Sequence, residues 1–143
     1  MVTVGSSTSD RAKIDPANLG LPRRWGMVRS YSQSKLAAMM TTFEWARRVR
    51  GSQIVANVVH PGTVATGLVR TPGIIGMAWQ LMAPWLLTEQ QGADTPLHVA
   101  LAPELAEATG QYFKNRTPAR CNPAAHDAAL LDQVWRATER LVG

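Results

Sequence analysis

Apolar side chains recur along this chain at two different periods. From Ser30 to Val49, in SYSQSKLAAMMTTFEWARRV, Leu36, Met39, Met40 and Phe43 fall three or four residues apart, on one face of a helix. Arg47, Arg48 and Arg50 crowd the end of that run, where cations suit the helix dipole, and Gly51 is a natural stop. Two shorter runs read as strands: Val2 to Val4, entering the turn Gly5-Ser6-Ser7, and QIVANVV, Gln53 to Val59, closed by His60-Pro61-Gly62. GQYFKN, Gly110 to Asn115, is a third strand candidate. A polar loop rich in Asp, Pro, Gly and Arg fills the interval from Ser7 to about Arg29.

Two further helices have recognisable starts. Thr88 and Gln91 stand at capping-box spacing, and Pro96 should start or kink part of the helix they open. Asn122 followed by Pro123 predicts the cap and first position of a last helix, with Leu130, Leu131, Val134 and Leu141 inside. The order strand, helix, strand, helix, strand, helix argues for an α/β fold with a parallel sheet covered by helices. Ligands of such sheets gather at the carboxyl ends of the strands. Ser6, the His60-Pro61-Gly62 turn and the start of the Tyr31 helix all fall there.

Composition narrows the class. At 143 residues with 45% apolar content, the chain can bury a real core as one domain, residues 1–143. Its single cysteine, Cys121, excludes an internal disulfide and suits a reducing compartment, so a cytoplasmic location is expected. MVTVGSSTSD has no basic region followed by an apolar run, and no secretory leader is expected. The net charge of +5 comes from scattered cations, 12 of the 15 being Arg, which reads as a solvated surface and not as a nucleic-acid patch. From Pro72 to Leu87 the sequence PGIIGMAWQLMAPWLL carries no charge. A helix of about 14 residues would span about 21 Å, short of the ~30 Å hydrocarbon core, so an apolar lid or a helix lying on a membrane surface is the reading.

Tyr31 and Lys35 are four residues apart, so the phenol and the ammonium share a helix face. A free phenol has a pKa of about 10 and is a poor base at neutral pH. A neighbouring cation stabilises the phenolate, and a tuned phenol can give a proton to a carbonyl oxygen or take one from an alcohol. A serine hydroxyl held nearby could orient that oxygen. The pair by itself is common; its surroundings are more specific.

With VTVGSS upstream, YSQSK at Tyr31 to Lys35, and NVVHPGTVATGLV downstream, the chain resembles the short-chain dehydrogenases/reductases. KIDPANL, SKLA, HPGTV and TEQQGA make it most similar to their retinol-dehydrogenase-like branch. The resemblance runs from Val2 almost to Gly143 and implies an NAD- or NADP-dependent oxidoreductase interconverting an alcohol and a carbonyl. It implies Tyr31 as acid/base, Lys35 as the cation beside it and a ligand of the nicotinamide ribose, and Ser6, with Ser7 as neighbour candidate, positioning the substrate oxygen. Pro61, Gly62, Val64 and Thr66 match the turn that lies against the nicotinamide, and His60 reads as a structural residue of that turn. Ile74 to Leu87, with Trp79 and Trp85, matches the region that closes over substrate, which points to an apolar substrate. A homodimer resting partly on the Tyr31 helix is also implied.

The departures are equally specific. The family's Gly-rich turn, Thr-Gly-x-x-x-Gly-x-Gly, occurs nowhere in the sequence, nor does its Asn-Asn-Ala-Gly strand. The chain therefore reads as the C-terminal half of a Rossmann-type domain lacking the N-terminal Gly-rich half. Without that turn the dinucleotide's phosphates lose their backbone N–H groups, and weak cofactor binding by the chain alone is expected. The alternative is a non-enzymatic remnant acting at most as a binding or interaction module.

Overall fold

The computed structural model describes residues 1–20, 23, 25–64 and 86–143. Among them four strands form one sheet in the order β1 (Val2–Val4), β2 (Asn57–His60), β3 (Tyr112–Lys114) and β4 (Thr117–Pro118). β1 and β3 both run parallel to β2, and β4 turns back antiparallel to β3. The α-helices among the described residues are α1 (Met27–Arg48), α2 (Glu89–Leu101) and α3 (Ala128–Val142).

The alternation of strand side chains divides the core in two. Val58 and Tyr112 point to the face covered by α1 and α3, where they meet Leu36, Met39, Met40, Phe43, Leu131 and Val134. Val59 and Phe113, each one residue on, point to the opposite face with Val99 of α2. All four residues of β2 are buried, as expected of the central strand of a sheet covered on both sides. The expected parallel α/β order is therefore present, and Leu36, Met39, Met40 and Phe43 of α1 face the sheet.

Several boundaries differ from the sequence reading. α1 begins at Met27, inside the stretch read as loop, because Gly26 is extended and its carbonyl accepts from Ser30 N at 2.7 Å. The rest of that loop contains two 3-10 turns, Ser7–Arg11 and Pro16–Asn18. β2 starts only at Asn57 and includes His60; Gln53 and Ile54 ahead of it are exposed. Arg47 and Arg48 do more than complement a dipole, since both bind the buried carboxylate of Glu44 at 2.7 Å.

Thr88 and Gln91 form the expected capping box. Pro96 lies inside α2, where it removes one backbone N–H without ending the helix. β4 was not legible: Asn115 and Arg116 adopt positive φ angles of 50° and 63°, which reverse the chain tightly after β3. Asn122 caps the 3-10 turn Pro123–His126 and not the last helix; Asp127 caps α3, accepting from Ala129 N and Leu130 N, both at 3.0 Å. Leu131, Val134 and Ala137 are buried, but Leu141, one turn further along the same face, is 62% exposed.

Candidate functional site

β1 ends at Val4, and the next residues make the first wall of the site. Gly5 N donates to Val59 O at 2.8 Å, continuing the parallel pairing for one more residue. A Cβ at Gly5 would stand 3.0 Å from Val58 Cγ1, so the close approach of β1 to β2 favours glycine there. Ser6 is extended and N-caps the turn Ser7–Arg11. Its Oγ accepts from Thr8 N at 3.4 Å and from Thr8 Oγ1 at 3.1 Å. Accepting in both, the hydroxyl keeps its own proton to donate.

α1 supplies the second wall. Tyr31 and Lys35 lie one turn apart, with Lys35 Nζ 5.8 Å from the centre of the Tyr31 ring. The same Nζ donates to Val4 O at 3.1 Å. A single ammonium thus touches the tyrosine and the strand end that delivers Ser6. Tyr31 is 38% exposed, so its ring is open to solvent on one side. The three residues singled out from the sequence are brought to one edge of the sheet. Ser7 is exposed on the neighbouring turn.

The third wall follows β2. His60 is buried within the strand, and its Nδ1 has no hydrogen-bond partner. Burial first, and Lys114 second, hold its imidazole below the ordinary histidine range, while Asp10 opposes them. Gly62 has φ +84°, the left-handed region, and a Cβ there would meet Leu87 Cδ1 at 2.4 Å. Val64 bridges to Leu87, whose N–H donates to Thr63 O at 2.9 Å. The chain therefore leaves the Pro61-Gly62 turn and returns beside it. Thr66 and the segment 74–85, with Trp79 and Trp85, lie outside the described residues.

Other side chains hold this arrangement, and sequence reasoning missed them. Gln33, two residues after Tyr31, is buried and donates from Nε2 to Asn18 O and Leu19 O, both at 3.1 Å. Asn18 in turn donates to Arg23 O at 3.0 Å. The KIDPANL loop is thereby fastened to the Tyr31 helix. Gln33 stands in line with Leu36 and Met40 on the buried face, and a polar residue type there hides that position from a reading of apolar periodicity. Among the described residues no group of three or more His, Cys, Asp or Glu is placed to hold a metal ion. No described helix is long and apolar enough to cross a membrane.

No protein-family model matches the chain. It is 32% identical to human retinol dehydrogenase 12 over 143 residues, all of this chain and 45% of that protein. Human retinol dehydrogenase 13 is 36% identical over 130 residues, covering 85% of the chain and 38% of the relative. Mouse retinol dehydrogenase 14 is 31% identical over 147 residues, covering all of the chain and 44% of the relative. The chain belongs to the short-chain dehydrogenases/reductases.

It matches the C-terminal part of these longer proteins and spans 38–45% of their length. A solved structure of an uncharacterized protein from Mycobacterium paratuberculosis superposes with a TM-score of 0.70 at 25% identity. That superposition covers 98% of this chain and 48% of the other, so the short-chain dehydrogenase fold is present here in part. The residues present fit only one end of a nicotinamide dinucleotide. Ser6 and the Pro61-Gly62 turn follow adjacent strand ends, and Lys35 ties the Tyr31 helix to the first of them, whereas the sequence has no Gly-rich turn for the phosphates.

Proposed function

We propose that this chain carries the proton-transfer part of an NAD- or NADP-dependent oxidoreductase that interconverts an apolar alcohol and its carbonyl. The observation behind this reading is the double contact of Lys35, to the Tyr31 ring and to Val4 O beside Ser6. Tyr31 gives its phenolic proton to a carbonyl oxygen, or takes one from an alcohol. The Lys35 cation stabilises negative charge as it develops on the phenol oxygen. Ser6 donates to the same substrate oxygen and fixes its direction. Lys35 and the turn of Pro61, Gly62, Val64 and Thr66 would hold the nicotinamide end of the cofactor. The cofactor, when bound, supplies or accepts the hydride.

An apolar substrate is supported by the surface around Tyr31. Trp25, Met27 and Val28 are 70%, 63% and 71% exposed at the start of α1, less than two turns from the phenol. An exposed group of this kind suits a lipid-like alcohol or aldehyde, or a membrane surface that delivers it. The relatives' names, which specify retinol, indicate the same class. Homodimerisation through α1 and a reducing, cytoplasmic location belong to this reading too; the free thiol of Cys121 is compatible with that location.

The test joins this chain to the N-terminal part of human retinol dehydrogenase 13 and follows NADPH oxidation with retinal. Turnover by the chimera, lost at least about a hundredfold in Tyr31→Phe, is the expected result. Turnover that survives Tyr31→Phe would remove the assigned acid/base. A folded chimera that binds NADPH but never turns over would favour the non-enzymatic reading. The unjoined chain should bind NADH and NADPH too weakly for a micromolar dissociation constant by calorimetry.

A further inference from the structure

We infer that Asn122, at the opposite end of the chain, is a positioning residue for Ser6. The inference rests on reading Ser6 as the group that orients the substrate oxygen. Asn122 is buried and uses every hydrogen-bonding atom of its side chain. Its Oδ1 accepts from Ala124 N at 3.0 Å, which caps the turn Pro123–His126. Its Nδ2 donates to Ser9 O at 2.8 Å and to Ala12 O at 2.9 Å, reaching back 113 and 110 residues along the sequence.

Those two carbonyls belong to the turn that Ser6 caps and to the residue that ends it. Ser9 is fully buried, and its Oγ donates to Ser6 O at 2.6 Å. The path from Asn122 to Ser6 is therefore two hydrogen-bonded steps, through Ser9. A 3-10 turn of five residues has few bonds of its own and poor geometry in them, so donors from outside decide its shape. The backbone bonds that close it, Ser9 N to Ser6 O at 3.0 Å and Ala12 N to Ser9 O at 3.1 Å, use the same carbonyls as the side chains.

The choice of amide carries the distinction between a cap and a tether. Serine and aspartate cap as well as asparagine does, but neither can give two N–H donors from one atom. A residue needed only to start the Pro123 turn could be any of the three. A residue that also grips two carbonyls must be an amide of this length.

Asn122→Ser and Asn122→Asp both keep an acceptor for Ala124 N; the aspartate has no donor, and the serine has one O–H on a shorter side chain, which cannot bond both Ser9 O and Ala12 O. Hydrogen exchange on the full chain reads the outcome. In both variants the amides of Ser9 and Ala12 should exchange about tenfold faster, while those of α3, capped independently by Asp127, keep their protection. Unchanged exchange at Ser9 and Ala12 would leave Asn122 as a cap only and overturn the inference. If the aspartate variant does not fold, Ser9→Ala takes its place. It removes only the second step, and it must quicken exchange at the Ser9 amide or the path does not exist. In the chimera with retinol dehydrogenase 13, Asn122→Ser should lower kcat and leave the KM for NADPH unchanged. Ser6→Ala separates the two claims: if it spares turnover, the role of Ser6 fails, while the exchange pattern still decides the tether.

Discussion

Lys35 Nζ donates to the carbonyl oxygen of Val4 at 3.1 Å, fixing the helix of Tyr31 to the strand that delivers Ser6. A charge-assisted bond to a carbonyl at a half-exposed position contributes about 1 kcal/mol. Lys35→Met keeps most of the aliphatic stem and removes the donor, so it should lower stability by about that amount in urea denaturation. A variant as stable as the parent would show that the bond does not hold the wall of the site together.

Glu44 should make the chain sensitive to acid. Its carboxylate is buried at 1% exposure, while Arg47 and Arg48, which bind it, are 53% and 40% exposed. The hydrogen bond from Arg47 leads in holding it below the ordinary carboxylate range, burial opposes, and Arg48 adds to the lowering. With the folded value depressed, this stability is present above the unfolded value of about 4.3 and is lost as pH falls through the folded one. Glu44→Gln should cost about 1–2 kcal/mol at pH 7. Its urea midpoint should also fall less than the parent's between pH 5 and about pH 3. Equal losses in both proteins would shift the acid sensitivity to other groups.

His60 predicts a second pH effect, centred higher. Its value is lowered in the fold, chiefly by burial, so the unfolded chain takes up the proton first. That contribution is complete above the unfolded value of about 6.5 and declines as pH falls below it. Chemical denaturation at pH 7.5 and 5.5 should show a loss in the parent that His60→Asn reduces. A loss of the same size in His60→Asn counts against the assignment.

Gly92 packs against the turn beyond β2. A Cβ on Gly92 would stand 2.4 Å from Val64 Cγ2 and 3.1 Å from Val64 Cγ1. Alanine is the better helix former by about 1 kcal/mol, yet Gly92→Ala should destabilise because the branched Val64 cannot swing aside. In a Val64→Ala background the sign should reverse, with Gly92→Ala stabilising by up to about 1 kcal/mol. A thermal-melting cycle of the four proteins measures this coupling. Additive effects would mean that Val64 does not contact α2.

The long-period features of the fold were readable without coordinates. Leu36, Met39, Met40 and Phe43 repeat at helical spacing over a stretch long enough for the pattern to be unambiguous, and all four are buried. The Thr88–Gln91 box is a local device, set by residues three apart, and it forms as expected. The start of β2 was misread because Ile54 shares the β-branched, apolar character of the strand while lying outside it, its N–H bonded to Ser52 Oγ. Leu141 was misplaced because a helical period does not show where the partner surface stops.

The sequence alone determined the order of the three parallel strands and three α-helices, the capping box, and the placement of Ser6, Tyr31 and Lys35 at strand end and helix start. These follow from local periodicity and from interactions a few residues long. Only the tertiary structure decided that one ammonium meets both Tyr31 and Val4, that Gln33 fastens the preceding loop, and that Asn122 grips the turn behind Ser6. Such contacts join atoms up to 113 residues apart, and hydrogen bonding by a single buried side chain imposes no repeat on the chain that carries it.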